Sequence, residues 1–210
     1  MNARAILALA AVAMLAGGGA ASACGSGRLL FSDSFDDLKT EWGGADDNMK
    51  VASGKMTIGE KDGNFYVVTA APTFPEVDFC ANVALVEGTD LAGSYGGIVF
   101  WAKDTNNFYT FQITLDGYAT AYVYDDGKWK SLVDDKEAAS IKQGTGATNE
   151  LRVVTNGTKA VLYINGTAFQ TIEGTPPARQ HIGFTAEAPA NNGSATFSFD
   201  DVAVNEPSGQ

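Results

Sequence analysis

Between Gly96 and Trp129 three strand-like runs follow one another with almost no spacing. They are Gly97-Ile-Val-Phe-Trp-Ala-Lys103, Phe108-Tyr-Thr-Phe-Gln-Ile-Thr114 and Tyr118-Ala-Thr-Ala-Tyr-Val-Tyr124, joined by Asp104-Thr-Asn-Asn107 and Asp116-Gly117 and followed by Asp126-Gly127. Asp-Gly between alternating apolar runs signals a tight hairpin, because glycine accepts the positive φ of a type I′ turn. A chain built this way must form an antiparallel meander. A two-residue Asp116-Gly117 turn pairs Leu115 with Tyr118, Ile113 with Thr120 and Phe111 with Tyr122. A four-residue Asp104–Asn107 loop pairs Lys103 with Phe108, Trp101 with Thr110 and Val99 with Gln112.

Cross-strand partners share a face, so this register separates a bulky apolar face from a small polar one. Phe111, Ile113, Leu115, Tyr118 and Tyr122 go inward, and Tyr124 and Trp129 are expected to join them as core. Thr110, Gln112, Ala119 and Ala121 take the other face, with Trp101 and Lys103 set among them. Trp101 is then the exposed aromatic, with the polar stretch 131–147 as the segment able to cover it.

Nothing downstream breaks the β pattern. Strands are expected at Arg28–Phe35, Gly54–Ile58, Phe65–Thr69, Glu76–Val86, Glu150–Thr155 and Ala160–Ile164, then at Thr167–Ile172, His181–Thr185 and Ser194–Val204. Residues 131–147 read as a loop with one helical turn near Asp135–Ser140. Asn165-Gly166 marks a second tight hairpin. Eleven or twelve short strands with evenly spaced turns predict an all-β, two-sheet antiparallel sandwich.

The first 23 residues stand apart. Arg4, the apolar run Ala5–Ala16 and the small-residue site Ala21-Ser-Ala23 form a secretory signal peptide, too short to anchor as a span. The mature chain, 24–210, is expected to be one domain, periplasmic or secreted, without a membrane span and monomeric. Removing residues 1–23 takes away Arg4 and no acid, moving the formal charge from −11 to −12. Phosphate backbones would repel such a chain, which excludes nucleic acid as a partner class. Cys24 and Cys80, an even pair in an exported chain, are expected to form a disulfide. The competing fate is acylation of Cys24 as a lipoprotein, but the position three residues before it is Ala21 where the lipobox favours leucine.

Several motifs together resemble a known group. Leu30-Phe-Ser-Asp-Ser-Phe35, Gly54-Lys55, Gly97-Ile-Val-Phe100, Phe108-Tyr-Thr-Phe-Gln-Ile113, Tyr163-Ile-Asn-Gly166 and Phe199-Asp-Asp-Val202 are similar to the 3-keto-disaccharide hydrolase-like domains of the concanavalin A-like jelly rolls. The resemblance spans 29–205 and implies a jelly roll and a carbohydrate ligand. Members often place a charged pair where this chain has Trp101 and Thr110. Family 16 glycosidases of the same superfamily carry three acids alternating on one strand, where the outer pair can serve as nucleophile and acid/base. Here Glu76-Val-Asp78 begins the pattern and Phe79-Cys80-Ala81 ends it without the third acid. His181 is the only histidine, at a strand start after a proline-containing loop, where a plain surface role is expected.

The sequence therefore predicts a non-catalytic, lectin-like module that binds a glycan or small saccharide. Trp101 would stack on a sugar ring, and Lys103, Thr110 and Gln112 would bond its hydroxyls. The alternatives are an enzyme cleaving a 3-keto-glycoside and an adhesion domain with no glycan. No motif requires a cofactor. Asp33, Asp36, Asp46, Asp47, Asp200 and Asp201 are where oxygen ligands for a structural Ca²⁺ would come from.

Overall fold

The computed structural model describes residues 24–208; the expected signal peptide lies outside them. Fourteen strands alternate with short turns: β1 (Leu29–Asp33), β2 (Met49–Ala52), β3 (Lys55–Lys61), β4 (Phe65–Thr69), β5 (Asp78–Gly88), β6 (Tyr95–Asp104), β7 (Asn107–Ile113), β8 (Tyr118–Asp125), β9 (Lys128–Glu137), β10 (Asn149–Asn156), β11 (Lys159–Ile164), β12 (Thr167–Glu173), β13 (His181–Glu187) and β14 (Ser194–Asn205). One 3₁₀ turn, Thr40–Trp42, interrupts them. An eight-stranded sheet runs β12-β11-β10-β5-β14-β3-β2, with β1 also on β14, and a six-stranded sheet runs β4-β13-β6-β7-β8-β9. Every pairing between these strands is antiparallel.

Strand alternation builds the core. Phe79, Val83 and Leu85 of β5, Leu151 and Val153 of β10, and Phe197 and Phe199 of β14 face Ile98, Phe100, Phe111, Ile113 and Phe184 of the other sheet, all buried. Phe184 stacks on Phe199 at 4.4 Å and on Trp42 at 5.2 Å, locking the sheets together. Each such side chain, once fully buried, stabilises the fold by roughly 1.5–3 kcal/mol. The Trp42 end is fixed by Asp33, which is 3% exposed. Its carboxylate accepts from the Phe35 amide and the Trp42 indole, each at 2.9 Å, and pairs with the Lys39 ammonium. Asp46 likewise accepts from the Asn48 and Met49 amides and the Tyr66 hydroxyl. The six aspartates considered for calcium do not gather three carboxylates at one point among the described residues.

Cys24 and Cys80 are joined by a disulfide. Cys80 sits opposite Phe79 and Ala81 on the outer face of its sheet, so the bond ties the N-terminal segment across that face. Mass spectrometry of the protein under non-reducing conditions should find the Cys24–Cys80 cross-link and no free thiol; a lipid adduct on Cys24 would contradict the structure.

The meander differs from the sequence register in two places. First, the β7–β8 pairing joins Ile113 to Ala119, Phe111 to Ala121 and Thr110 to Tyr122. The turn holds three residues, Leu115-Asp116-Gly117. Only Gly117 has positive φ (110°), the Gly117 amide reaches the Thr114 carbonyl at 3.3 Å, and the Thr114 amide reaches the Tyr118 carbonyl. This is a type I turn closed by a glycine bulge, and the extra residue reverses every side chain of β8. Ala119 and Ala121 are core, whereas Tyr118 (39% exposed) and Trp129 (40%) are at the surface and Tyr122 and Tyr124 lie on the outer face. Tyr122→Ala should therefore cost only about 1 kcal/mol in urea denaturation, the worth of one aromatic contact; a core-sized loss would restore the two-residue register.

Second, β6 bulges between Phe100 and Asp104, with Trp101 at φ 47°. The inserted residue puts Phe100 and Trp101 both inward and returns Ala102 to the outer face. Residues 131–137, expected as a loop with a helical turn, instead belong to the edge strand β9.

Candidate functional site

The bulge decides the fate of the expected sugar platform. Trp101 is 2% exposed, edge-on to Tyr109 at 5.0 Å and 88°, and its amide donates to Gln180 Oε1 at 2.9 Å. Its cover is the backbone at Gly174, where a Cβ would come within 2.7 Å of the indole, and not the stretch 131–147. Trp101 is core. Lys103 is exposed at the end of β6. Thr110 and Gln112 do lie on the outer face of the six-stranded sheet, both buried, with the Thr110 hydroxyl donating to Gln112 Oε1 at 3.2 Å. His181 donates Nδ1–H to the Ala70 carbonyl at 2.8 Å.

That outer face is not flat. Phe65 begins β4 and Trp129 sits on β9, the two edge strands of the sheet, yet their rings are 5.1 Å apart. Six flat strands at ordinary spacing would hold those edges about 24 Å apart. The sheet is therefore curled into a trough whose rims meet in an aromatic clasp. Phe65 also contacts Tyr124 at 5.4 Å, and Trp129 contacts Phe108 at 5.8 Å, Tyr122 at 6.0 Å and Tyr124 at 4.7 Å. Val99, Ala102 and Phe108 floor this end of the trough as a second, smaller core.

Beside the clasp lies a cavity of about 290 Å³ lined by Tyr95, Gln112, Tyr122, Trp129 and Glu187. Tyr95 and Glu187 are direct cross-strand partners on β6 and β13. The Tyr95 hydroxyl donates to Asp135 Oδ2 at 3.0 Å. Burial, and then that bond, hold the phenol well above its ordinary range. Burial, and then the charge of Asp135, also push the Glu187 carboxyl up. Two residues before Glu187, and so on the same face, Thr185 is fully buried with an Oγ1 that has no hydrogen-bond partner. Aromatic walls for the apolar faces of a ring, with an amide and a carboxylate to bind its edges, are the makings of a saccharide site.

A larger hollow, about 700 Å³, opens on the outside of the eight-stranded sheet. It has no aromatic lining, and its side chains bond one another, Asp33 with Lys39 and Asn82 with Asp201. The Glu76-Val-Asp78 segment also belongs to that sheet and not to the trough. Asp78 is 1% exposed and forked onto Arg152, and Glu76 caps the Gly157 amide at 2.8 Å.

The sequence pointed to Thr110 and Gln112 on this face and missed Tyr95, Tyr122, Trp129, Asp135 and Glu187. The signal available for Trp129 was its place in Lys128-Trp-Lys-Ser131, an aromatic flanked on both sides by lysine.

No protein-family model matches the sequence, and no curated protein does. Solved structures share the fold widely. Carbohydrate binding module CBM66 from Bacillus subtilis aligns over 72% of this chain and 86% of its own, at 12% identity and a TM-score of 0.58. The catalytic domain of an endo-1,3-beta-glucanase (laminarinase) from Thermotoga petrophila aligns over 86% and 98%, at 11% identity and 0.59. The beta-glucanase of Bacillus licheniformis aligns over 87% and 100%, at 12% identity and 0.59. The architecture is thus a two-sheet jelly-roll sandwich, the fold these structures share. At these identities the likeness is one of fold, and no match singles out the 3-keto-disaccharide hydrolases.

Proposed function

We propose that this chain is an exported, non-catalytic glycan-binding module whose site is the trough pocket of the six-stranded sheet. The observation that carries the reading is the convergence of Tyr95, Tyr122 and Trp129 with Gln112 and Glu187 around one cavity. Its volume suits one or two sugar rings, at the small end of ligand pockets. The aromatic clasp at one end favours a chain terminus or short saccharide over a polymer threaded straight through. The disulfide accords with an oxidising compartment outside the cytosol. Glycan binding is also what a carbohydrate-binding module of the same fold is named for.

A second reading, glycoside hydrolysis, is favoured by one observation. Glu187, its carboxyl pushed up by burial and then by the charge of a second carboxylate, Asp135, lines the cavity. Against it, the strand in the middle of the trough, β7, presents Thr110 and Gln112, neither of which ionises to serve as nucleophile or base.

Binding of residues 24–210 to a glycan array tests the proposal. Tyr122→Ala and Trp129→Ala should each weaken a bound glycan at least about tenfold while Tyr122→Ala leaves the melting temperature within a few degrees. Glycan binding indifferent to both changes would remove the site from the trough. Release of reducing ends from the bound glycan, lost in Glu187→Gln, would replace binding by hydrolysis.

A further inference from the structure

The proposed pocket has an electrical character that its aromatic walls alone do not demand. Glu187 makes no ion pair or hydrogen bond among the described residues, and the charged group that acts on it is another acid, Asp135. Asp135 in turn is met by the neutral Tyr95 hydroxyl rather than by a cation. The adjacent lysine turns away: Lys136 donates to Gln170 Oε1 at 3.0 Å and sits 5.1 Å over the Phe169 ring, both on β12 of the other sheet. Lys103, the one cation expected near the site, is exposed at the far end of β6 from the Tyr95–Glu187 pair and lines no part of the cavity.

A half-buried carboxylate, Glu187, in the field of a second, exposed acid and with no counter-ion is unfavourable unless something positive joins it. The same cavity offers three aromatic rings, whose faces attract cations electrostatically. On the same sheet face as Glu187, but not in the cavity lining, the fully buried Thr185 Oγ1 has no hydrogen-bond partner among the described residues. Thr185 pairs with Gly97 and Gly97 with Gln112, so only a glycine separates that hydroxyl from the Gln112 strand position. An ammonium group has three donors and no acceptor. In the cavity it would find the carboxylate of Glu187 and the aromatic rings together.

We propose that the trough pocket selects a saccharide bearing a free ammonium group, a deacetylated amino sugar, with Glu187 and Asp135 supplying the charge and Tyr95, Tyr122 and Trp129 the cation-accepting walls. This rests on the glycan-binding reading and narrows it. The pocket rejects the N-acetyl form, which has no charge to offer the acids, and repels sulfated or uronic sugars, whose anions would add a third negative group.

The test compares three β-1,4-linked trimers that differ only at C2, of glucosamine, N-acetylglucosamine and glucose, by calorimetry with residues 24–210, beside an array of neutral, acidic and amino glycans. The amino-bearing members should bind about tenfold tighter than their acetylated or hydroxyl counterparts. Glu187→Gln, nearly isosteric, should erase the preference while leaving the melting curve in place, and Asp135→Asn should reduce it. Equal affinity across the C2 series, or a preference that survives both substitutions, overturns the assignment. If a neutral or acidic glycan binds in a Trp129-dependent way and no amino sugar does, the ammonium assignment falls and the glycan-binding reading stands. If nothing on the panel binds, both fall.

Discussion

Trp101→Ala should destabilise the protein by about 3–5 kcal/mol, the range for deleting a large buried aromatic. The indole is 2% exposed and wedged among Phe100 at 5.3 Å, Tyr109 at 5.0 Å and the Gly174 backbone. Rigid backbone on one side and two rings on the other leave little that can collapse into the space. The conformation gives the prediction a second arm. Trp101 holds φ at 47°, where any side chain is strained and glycine is not. Trp101→Gly should therefore be no less stable than Trp101→Ala, and more stable by up to about 1 kcal/mol, an order seldom seen at a strand position. Urea denaturation measures both, and the folded fraction of either variant should still bind ligand. Near-native stability with lost binding would mean that the ring faces the ligand after all.

The same dipeptide explains both how much was legible and where legibility ended. At Asp126-Gly127 and Asn165-Gly166 both residues take positive φ, and the flanking residues pair as two-residue hairpins, Asp125 with Lys128 and Ile164 with Thr167. At Asp116-Gly117 only the glycine does, because Asp-Gly fits the end of a type I turn as well as the middle of a type I′ turn. The Thr114 hydroxyl bonds Asp116 Oδ1 and supports the longer form. That one residue moved Tyr122 and Tyr124 from core to trough, and with them the site. The sandwich itself survives such an error, since alternation on β5, β10 and β14 marks one core face whatever the turn does. The trough was out of reach for another reason. The meeting of Phe65 and Trp129 depends on the coiling of six strands, a property of non-local pairing that no local pattern carries. Polar β9 read as a loop because bulges at Ala119–Ala121 and Ala121–Tyr122 break its alternation.

Arg152→Leu should cost about 3–5 kcal/mol, for an electrostatic reason rather than a packing one. Asp78 is 1% exposed, and Arg152 grips both of its oxygens, with the outer nitrogen 2.7 Å from Oδ2. The fork is itself held by Tyr163, 5.0 Å beneath the guanidinium. Removing the arginine leaves a carboxylate that water cannot reach, so the loss far exceeds what the pair adds over an apolar replacement. Asp78→Leu combined with Arg152→Leu should therefore recover most of the single-mutant loss, and the double-mutant cycle in urea should show strong coupling. What keeps water out is the N-terminal segment. A Cβ on Gly25 would lie within 1.6 Å of Asp78 Oδ2 and 3.2 Å of the Arg152 guanidinium, so the chain next to Cys24 presses directly on the pair. Arg152 is also the cross-strand partner of Cys80. Reducing the Cys24–Cys80 bond should free that segment, admit water to Asp78 and shrink the penalty of Arg152→Leu toward the roughly 0–1 kcal/mol of an exposed pair. A penalty unchanged by reduction would show that the strands alone bury Asp78, and that the disulfide does not seal it.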